Sequence, residues 1–264
     1  MKKQIEQAQK FHEMHRNRHP LILVNAWDAG SALTIQQAGA EAIATGSWSV
    51  AAAHGYDDGE KLPFDLVLSS LQHIRNNVDL PISIDIESGY GRSKEIIKEN
   101  VTKIINCGAV GVNIEDQKID GSGLYSIEEQ SLRIHAVVDA TESTSIPLFI
   151  NARTDIFFQS AVSEHKEAHV EAAVRRANAY AEAGAHGIFV PGLCNEKYIE
   201  TLCQQSPIPV NVMISPESPS LQRLAAIGVA RISYGPRPYM LVMDALKEAS
   251  ARALAMQELE EPAR

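Results

Sequence analysis

Residues 81–117, PISIDIESGYGRSKEIIKENVTKIINCGAVGVNIEDQ, hold one complete strand–helix–strand unit. PISIDIE (81–87) is an apolar run that turns polar at its C-terminal end, and AVGVNIED (109–116) repeats the pattern. A strand covered on both faces needs such a run. A barrel that keeps its chemistry at one end accounts for the polar tips. Between them, SKEIIKENVTKIIN (93–106) places Ile96, Ile97, Val101, Ile104 and Ile105 on one apolar stripe, the pattern of a helix packed on a sheet. Gly108 closes that helix, since glycine takes the left-handed conformation readily.

The same unit recurs in both directions. Further strands are expected at 21–27 (LILVNAW), 40–47 (AEAIATGS), 146–155 (IPLFINARTD), 185–192 (AHGIFVPG), 207–214 (PIPVNVMI) and 229–235 (VARISYG). Gly39, Gly184 and Gly228 stand where Gly108 does, between a helix and the next strand, and Pro63 opens the helical FDLVLSSLQHI. Eight strands with about eight helices over 264 residues predict an α/β protein, a (β/α)8 TIM barrel with the whole chain (1–264) as one domain. An open doubly wound sheet has the same periodicity. However, VNAWDAGSA (24–32) carries one glycine where a dinucleotide loop needs three, and no GxxxxGK[ST] occurs. Residues 1–20 are expected to cap the barrel floor with a helix. The segment 236–264 reads as a long Ala- and Leu-rich helix with Met240, Met243 and Met256, covering the closing seam or packing on another subunit.

Lys and Arg total 24 against 33 Asp and Glu, a net charge of −9, which argues against a nucleic-acid backbone or an anionic membrane as partner. No stretch approaches the roughly 18 apolar residues of a bilayer span, and MKKQIEQAQKFHEMHRNRHP lacks the apolar run of a signal peptide. Cys107, Cys194 and Cys203 are odd in number and unclustered, which points to neither a disulfide framework nor a thiolate metal site and suggests a reducing cytoplasm.

The chemistry gathers at strand tips. Asp85 and Glu87 end the third strand and Glu115 and Asp116 the fourth. Alternate residues share a face and adjacent strands lie about 4.8 Å apart, so Asp85, Glu87 and Glu115 reach one centre, with Asp116 facing in or out. Crowded carboxylates repel unless a cation compensates, and oxygen-only ligands favour Mg2+ or Mn2+. Arg153 ends a further apolar strand, where its guanidinium can fork onto a bound carboxylate or pair with Glu115 or Glu87. In TGSWSVAAAHGYDDGEKLP (45–63), the backbone N–H groups of Gly46 and Ser47 can hold a small anion, and Asp58 can turn toward the ion. Tyr90 offers a proton or a hydrogen bond, or packs over the ion site. Trp27 and Trp48 offer an apolar wall, and His54 lies close to Asp58 in the chain.

Taken in order, VNAWDAGSA, HGYDDGEKLP, IDIESGYG, NIEDQ, INARTD, VPGL and RISYG resemble the isocitrate lyase and phosphoenolpyruvate mutase superfamily, over about residues 21–239. The resemblance implies a Mg2+-dependent (β/α)8 barrel whose last helix is swapped with a neighbouring subunit in a homo-oligomer, a dimer of dimers. Members make or break C–C or P–C bonds beside a 2-oxo or 2-hydroxy acid through a metal-stabilised enolate. By the same resemblance Asp85 is the direct metal ligand, with Glu87, Glu115 and Asp58 around the ion and its waters. Arg153 matches the substrate-binding arginine, and the backbone at Gly46 and Ser47, beside Trp48, falls where the substrate carboxylate is held. Better-known members often carry Asp where this chain has Glu87. The departure is sharper after NIEDQ. KIDGSGLYSIEEQ (118–130) has neither the Cys nor the His of the lyases' Lys-[Lys/Arg]-Cys-Gly-His loop, nor the Asn or Thr of the longer mutase loop; Ser122 and Tyr125 are its candidate substitutes. The expectation is a Mg2+-dependent lyase or decarboxylase for a small 2-oxo or 2-hydroxy carboxylic acid. Phosphonopyruvate hydrolase or mutase chemistry, or a non-catalytic oxo-acid-binding barrel, stands as the alternative.

Overall fold

The first strand does not run through. In the computed structural model, which describes residues 1–16 and 19–258, it divides at Val24 into β1 (Leu21–Leu23) and β2 (Asn25–Ala26). β2 pairs with β3 (Ile43–Thr45), while β1 pairs with the last strand, β9 (Arg231–Ser233). Between them run β4 (Ile82–Asp85), β5 (Gly111–Glu115), β6 (Phe149–Arg153), β7 (Gly187–Phe189) and β8 (Val210–Met213), each parallel to its neighbours. The order β1-β9-β8-β7-β6-β5-β4-β3-β2 makes the eight expected strands into nine, nearly closed as a barrel. Asn25 bridges the seam. Its Oδ1 accepts the backbone N–H groups of Tyr234 (3.1 Å) and Gly235 (2.9 Å), and its Nδ2 donates to the Thr45 carbonyl (3.0 Å).

Helices surround the strands: α1 (Lys2–Met14), α2 (Ala29–Gln37), α3 (Ser47–Ala53), α4 (Phe64–Asn77), α5 (Lys94–Asn106), α6 (Ile127–Thr144), α7 (Glu167–Glu182), α8 (Glu196–Gln205), α9 (Leu221–Ala226) and α10 (Arg237–Leu254). α5 buries Ile97, Val101, Ile104 and Ile105 as its period requires. Ile96 does not join them; it lies at the edge of the stripe and is 48% exposed. Gly39, Gly108, Gly184 and Gly228 close α2, α5, α7 and α9 with φ between 94° and 100°. The strand expected over 40–47 ends at Thr45, and the short α3 begins at Ser47.

The strands are apolar mainly on the side that faces the helices. Ile84, Val112, Ile114, Ile150, Val212 and Ile232 are buried there, while alternate residues point into the barrel. Much of the inward set is polar: Asp85, Asn113, Asn151, Asn211, Arg231 and Ser233, all buried. Asn151 Nδ2 donates to Asn113 Oδ1 at 2.8 Å, and Arg231 Nη2 crosses the interior to the same oxygen at 3.4 Å. Below this layer α1 closes the other mouth. Phe11 meets Phe149 edge-on at 5.5 Å, and the His15 ring stacks on Phe149 at 3.9 Å. Gly111 leaves the room for this plug; a Cβ there would stand 2.7 Å from the Phe11 ring.

α10 does not cover the seam. None of its residues is buried, and Met240, Leu241, Val242, Leu246 and Leu254 are exposed. Only its first turn is anchored, through Tyr239 set edge-on to Trp27 (5.2 Å) and Trp48 (5.9 Å). It ends at Leu254, and residues 259–264 of the expected helical segment, with Asn17 and Arg18 of the N-terminal one, lie outside the described residues.

Candidate active site

Every strand-tip residue singled out from the sequence lies at the C-terminal mouth of the barrel or in the loops above it. A cavity of about 180 Å³ opens there, lined among others by Gly46, Ser47, Trp48, Asp58, Asp85 and Arg153. Asn25, Asn113, Phe189, Met213 and Ser233, which the sequence reading does not single out, also line it. Their signal was available as inward positions on strands already recognised.

Asp85 ends β4 in the centre of this group. Its backbone N–H donates to Thr45 Oγ1 (3.1 Å), and its Oδ2 accepts from the backbone N–H (3.4 Å) and hydroxyl (3.2 Å) of Ser47. The Ser47 donors expected to meet a bound anion are therefore turned to Asp85. Glu87, just past the strand with φ of 50°, points away from Asp85. Its Oε2 accepts the backbone N–H groups of Gly59 (2.7 Å) and Glu60 (2.6 Å), and its Oε1 accepts from the Tyr90 hydroxyl at 2.9 Å. Tyr90 thus stands behind Glu87, against Phe64, and is absent from the cavity wall. Burial and the neighbouring Glu87 push its phenol far above the usual range, so it acts as a fixed hydrogen-bond donor.

Arg153 is held more tightly than its sequence suggests. Asp155, an acid that sequence reasoning passed over, takes Nε at 2.6 Å and Nη2 at 2.8 Å. Glu115 takes Nη1 at 2.9 Å, and Asp85 stands 3.8 Å from the same nitrogen. A guanidinium has five N–H donors. Asp155 takes one edge and Glu115, the pairing expected as the alternative, takes one Nη1 donor, which leaves one donor on each Nη. Burial opposes the Arg153 charge, yet Glu115 and Asp155 hold its pKa well above the ordinary value. Asp116 faces outward and is structural, bonded to Tyr180 (2.8 Å), the Asp155 backbone N–H (3.0 Å) and Arg176 (3.2 Å). His54 caps α3, its Nδ1 against the Val50 carbonyl, and is not in the cavity wall.

The electrostatics leave negative charge in surplus. Burial first, then Asp85, raises the Asp58 carboxyl above its ordinary value. Burial and Asp58 push Glu87 up to about 7. Burial raises Glu115 well above the ordinary range despite the opposing charge of Arg153. Among the described residues no three acids, histidines or cysteines converge as a ready-made metal cage. Both Glu87 oxygens are bonded to Gly59, Glu60 and Tyr90, and Glu115 is turned to Arg153. An all-oxygen donor set with excess buried negative charge nevertheless has the chemistry that a hard divalent cation satisfies. No described helix is long and apolar enough to cross a membrane.

Acids, an arginine and a small cavity at the C-terminal mouth of a parallel barrel follow the plan of the barrel enzymes. The family model described as phosphoenolpyruvate phosphomutase matches residues 11–254. The chain belongs to the isocitrate lyase/phosphoenolpyruvate mutase superfamily. It is 31% identical over 251 residues to an uncharacterized protein of Mycobacterium tuberculosis H37Rv, covering 93% of this chain and 88% of that one. It is 34% identical over 179 residues to 2-methylisocitrate lyase of Escherichia coli K12, covering 65% of this chain and 57% of the lyase. A crystal structure from Burkholderia cenocepacia J2315, provisionally described as a phosphonomutase, is similar at 44% identity with a TM-score of 0.92, covering 95% of this chain and 99% of that one.

Proposed function

We propose that this protein is a Mg2+-dependent lyase or decarboxylase for a small 2-oxo or 2-hydroxy carboxylic acid, working in the reducing cytoplasm. The observation that carries this reading is the grouping of carboxylates around Arg153: Asp58 and Asp85 line the small cavity beside it, Glu115 is paired to it, and Glu87 lies behind them, bonded to Gly59, Glu60 and Tyr90. Asp85 is the residue that would hold the ion, with Glu115 and Asp58 close by and Glu87 contributing charge from behind. Bound there, Mg2+ or Mn2+ would supply the positive charge that stabilises an enolate during C–C cleavage.

The chain's own groups do the rest. Arg153, its edge fixed by Asp155, presents the remaining Nη donors to a substrate carboxylate, with Gly46 and Ser47 beside it. Trp48 and Phe189 give the cavity an apolar wall that excludes water from the reacting bond. Asp58, whose carboxyl is raised by partial desolvation and then by Asp85, can hold or move a proton at the cavity edge. The loop after β5 contains no cysteine, so a mechanism that needs a thiol acid on that loop is not the one proposed.

The 44% identity to the Burkholderia cenocepacia protein favours P–C bond chemistry as the second reading. Incubation with oxaloacetate, substituted malates and phosphonopyruvate, each with and without Mg2+, separates the two. Metal-dependent loss of a C–C substrate supports the first reading; phosphate or phosphoenolpyruvate from phosphonopyruvate supports the second. Absence of turnover with every acid would contradict both and leave a binding barrel. The exposed apolar residues of α10 support a homo-oligomer, a dimer of dimers, in which each α10 packs on a neighbouring barrel.

A further inference from the structure

Asn113 lies at the centre of β5, between Asp85 on β4 and Asn151 on β6 in register. It is buried at 4% exposure and lines the floor of the cavity. Its Oδ1 accepts from two donors, Asn151 Nδ2 at 2.8 Å and Arg231 Nη2 at 3.4 Å. A guanidinium can only donate, so the side of the amide that faces Arg231 must be the oxygen. The amide therefore cannot turn over without setting an NH2 group against a buried cation. Its Nδ2, left without an acceptor among the described residues, is the end available to the cavity.

Arg231 is an unusual residue to bury for this purpose alone. It is fully buried, Asn113 Oδ1 is its one hydrogen-bonded side-chain partner among the described residues, and its Nε and Nη1 have none. A buried guanidinium with so little compensation destabilises a core. Its retention at the bottom of the site fits a role in the site rather than in packing.

We infer that Asn113 is a specificity-determining residue, donating a hydrogen bond from Nδ2 to an oxygen of the bound acid, and that Arg231 is the positioning residue that fixes this amide. A site built around a fixed donor discriminates against ligands that lack an acceptor at that point. The floor then selects acids carrying a carbonyl or carboxylate oxygen directed into the barrel over those carrying a methyl group there. This inference rests on the proposed acid site above, and the test distinguishes the two.

Oxalate, the smallest planar dicarboxylate, is the probe, titrated calorimetrically in the presence of Mn2+. Asn113→Asp keeps both acceptor contacts and loses the donor; Asn113→Ala removes the donor without adding charge. Each is expected to weaken oxalate roughly 10- to 100-fold, the value of a hydrogen bond to a charged group, while in the uncharged Asn113→Ala the Mn2+ affinity stays within about twofold. Arg231→Met is expected to weaken oxalate several-fold while raising the thermal midpoint, a pair of changes that a purely structural arginine would not give. Arg231→Lys, which restores a donor to Oδ1, should recover part of the affinity. Unchanged oxalate affinity in folded Asn113→Ala or Asn113→Asp would overturn the inference and leave the acid site standing. No oxalate binding by the unaltered protein would overturn the acid site itself, and the inference with it.

Discussion

Arg153 and Asp155 stand two residues apart, and the pair defines how the site can hold an acid. The bidentate contact at 2.6 and 2.8 Å orients the guanidinium and uses one of its edges, so the arginine reaches a ligand only by the donors left on its two Nη atoms. Asp155→Ala removes a buried partner and leaves a buried cation under-compensated. It is expected to cost about 3–5 kcal/mol in urea denaturation and to weaken acid binding by calorimetry. Wild-type stability with wild-type affinity would show that Asp155 neither holds nor orients Arg153. The acids at the strand tips were legible in the sequence because IDIE and NIED recur at equivalent places in successive units. Asp155 was equally visible in INARTD, but residue spacing does not say which edge of a guanidinium a neighbour takes. Nor does spacing show that the Glu87 carboxylate turns back to Gly59, Glu60 and Tyr90, because that depends on the positive φ at Glu87 and Tyr90.

At the scale of elements, apolar runs and recurring glycines located all eight expected strand segments and most of the helices. The break at Val24 was not legible, because it comes from closure: one segment must pair with both β9 and β3. The polar interior was hidden for a related reason. Each strand reads as nearly apolar because its outward residues dominate, and only parallel closure reveals that Asn113, Asn151, Asn211 and Arg231 share one inner layer. Helix α1 shows how the other mouth is sealed and carries a pH dependence. Burial pushes His15 down to about 3 and His186 to about 4, from an ordinary 6.5. Below pH 6.5 the unfolded chain takes up protons that these buried rings refuse, so their stabilising contribution, complete at higher pH, is lost as pH falls toward their folded values. The slope is roughly 1.4 kcal/mol per pH unit for each ring. His15→Phe, which keeps the stack on Phe149, should flatten the fall in urea midpoint between pH 6.5 and pH 4 relative to the unaltered protein. An unchanged slope would contradict the assignment of that proton to His15.

For the whole molecule, the barrel presents one chemical end and one sealed end, and α10 leaves it after Tyr239. Met240, Leu241, Val242 and Leu246 on this helix are exposed and none of its residues is buried, the apolar surface that the proposed homo-oligomer would cover. If the proposed oligomer forms through this helix, removing residues after Tyr239 gives smaller, less stable species in light scattering. An assembly of unchanged size would show that α10 does not join the subunits. In the proposed site a divalent cation is held by the strand-tip acids, which Mn2+ titration of the unaltered protein, Asp85→Asn and Glu87→Gln measures, with circular dichroism to verify folding. Asp85 is expected to matter most because it lines the cavity, whereas Glu87 does not and its oxygens are bonded elsewhere. The prediction is Mn2+ binding by the unaltered protein, a severe loss in Asp85→Asn and a smaller one in Glu87→Gln; unchanged Mn2+ affinity in folded Asp85→Asn would contradict the proposed centre.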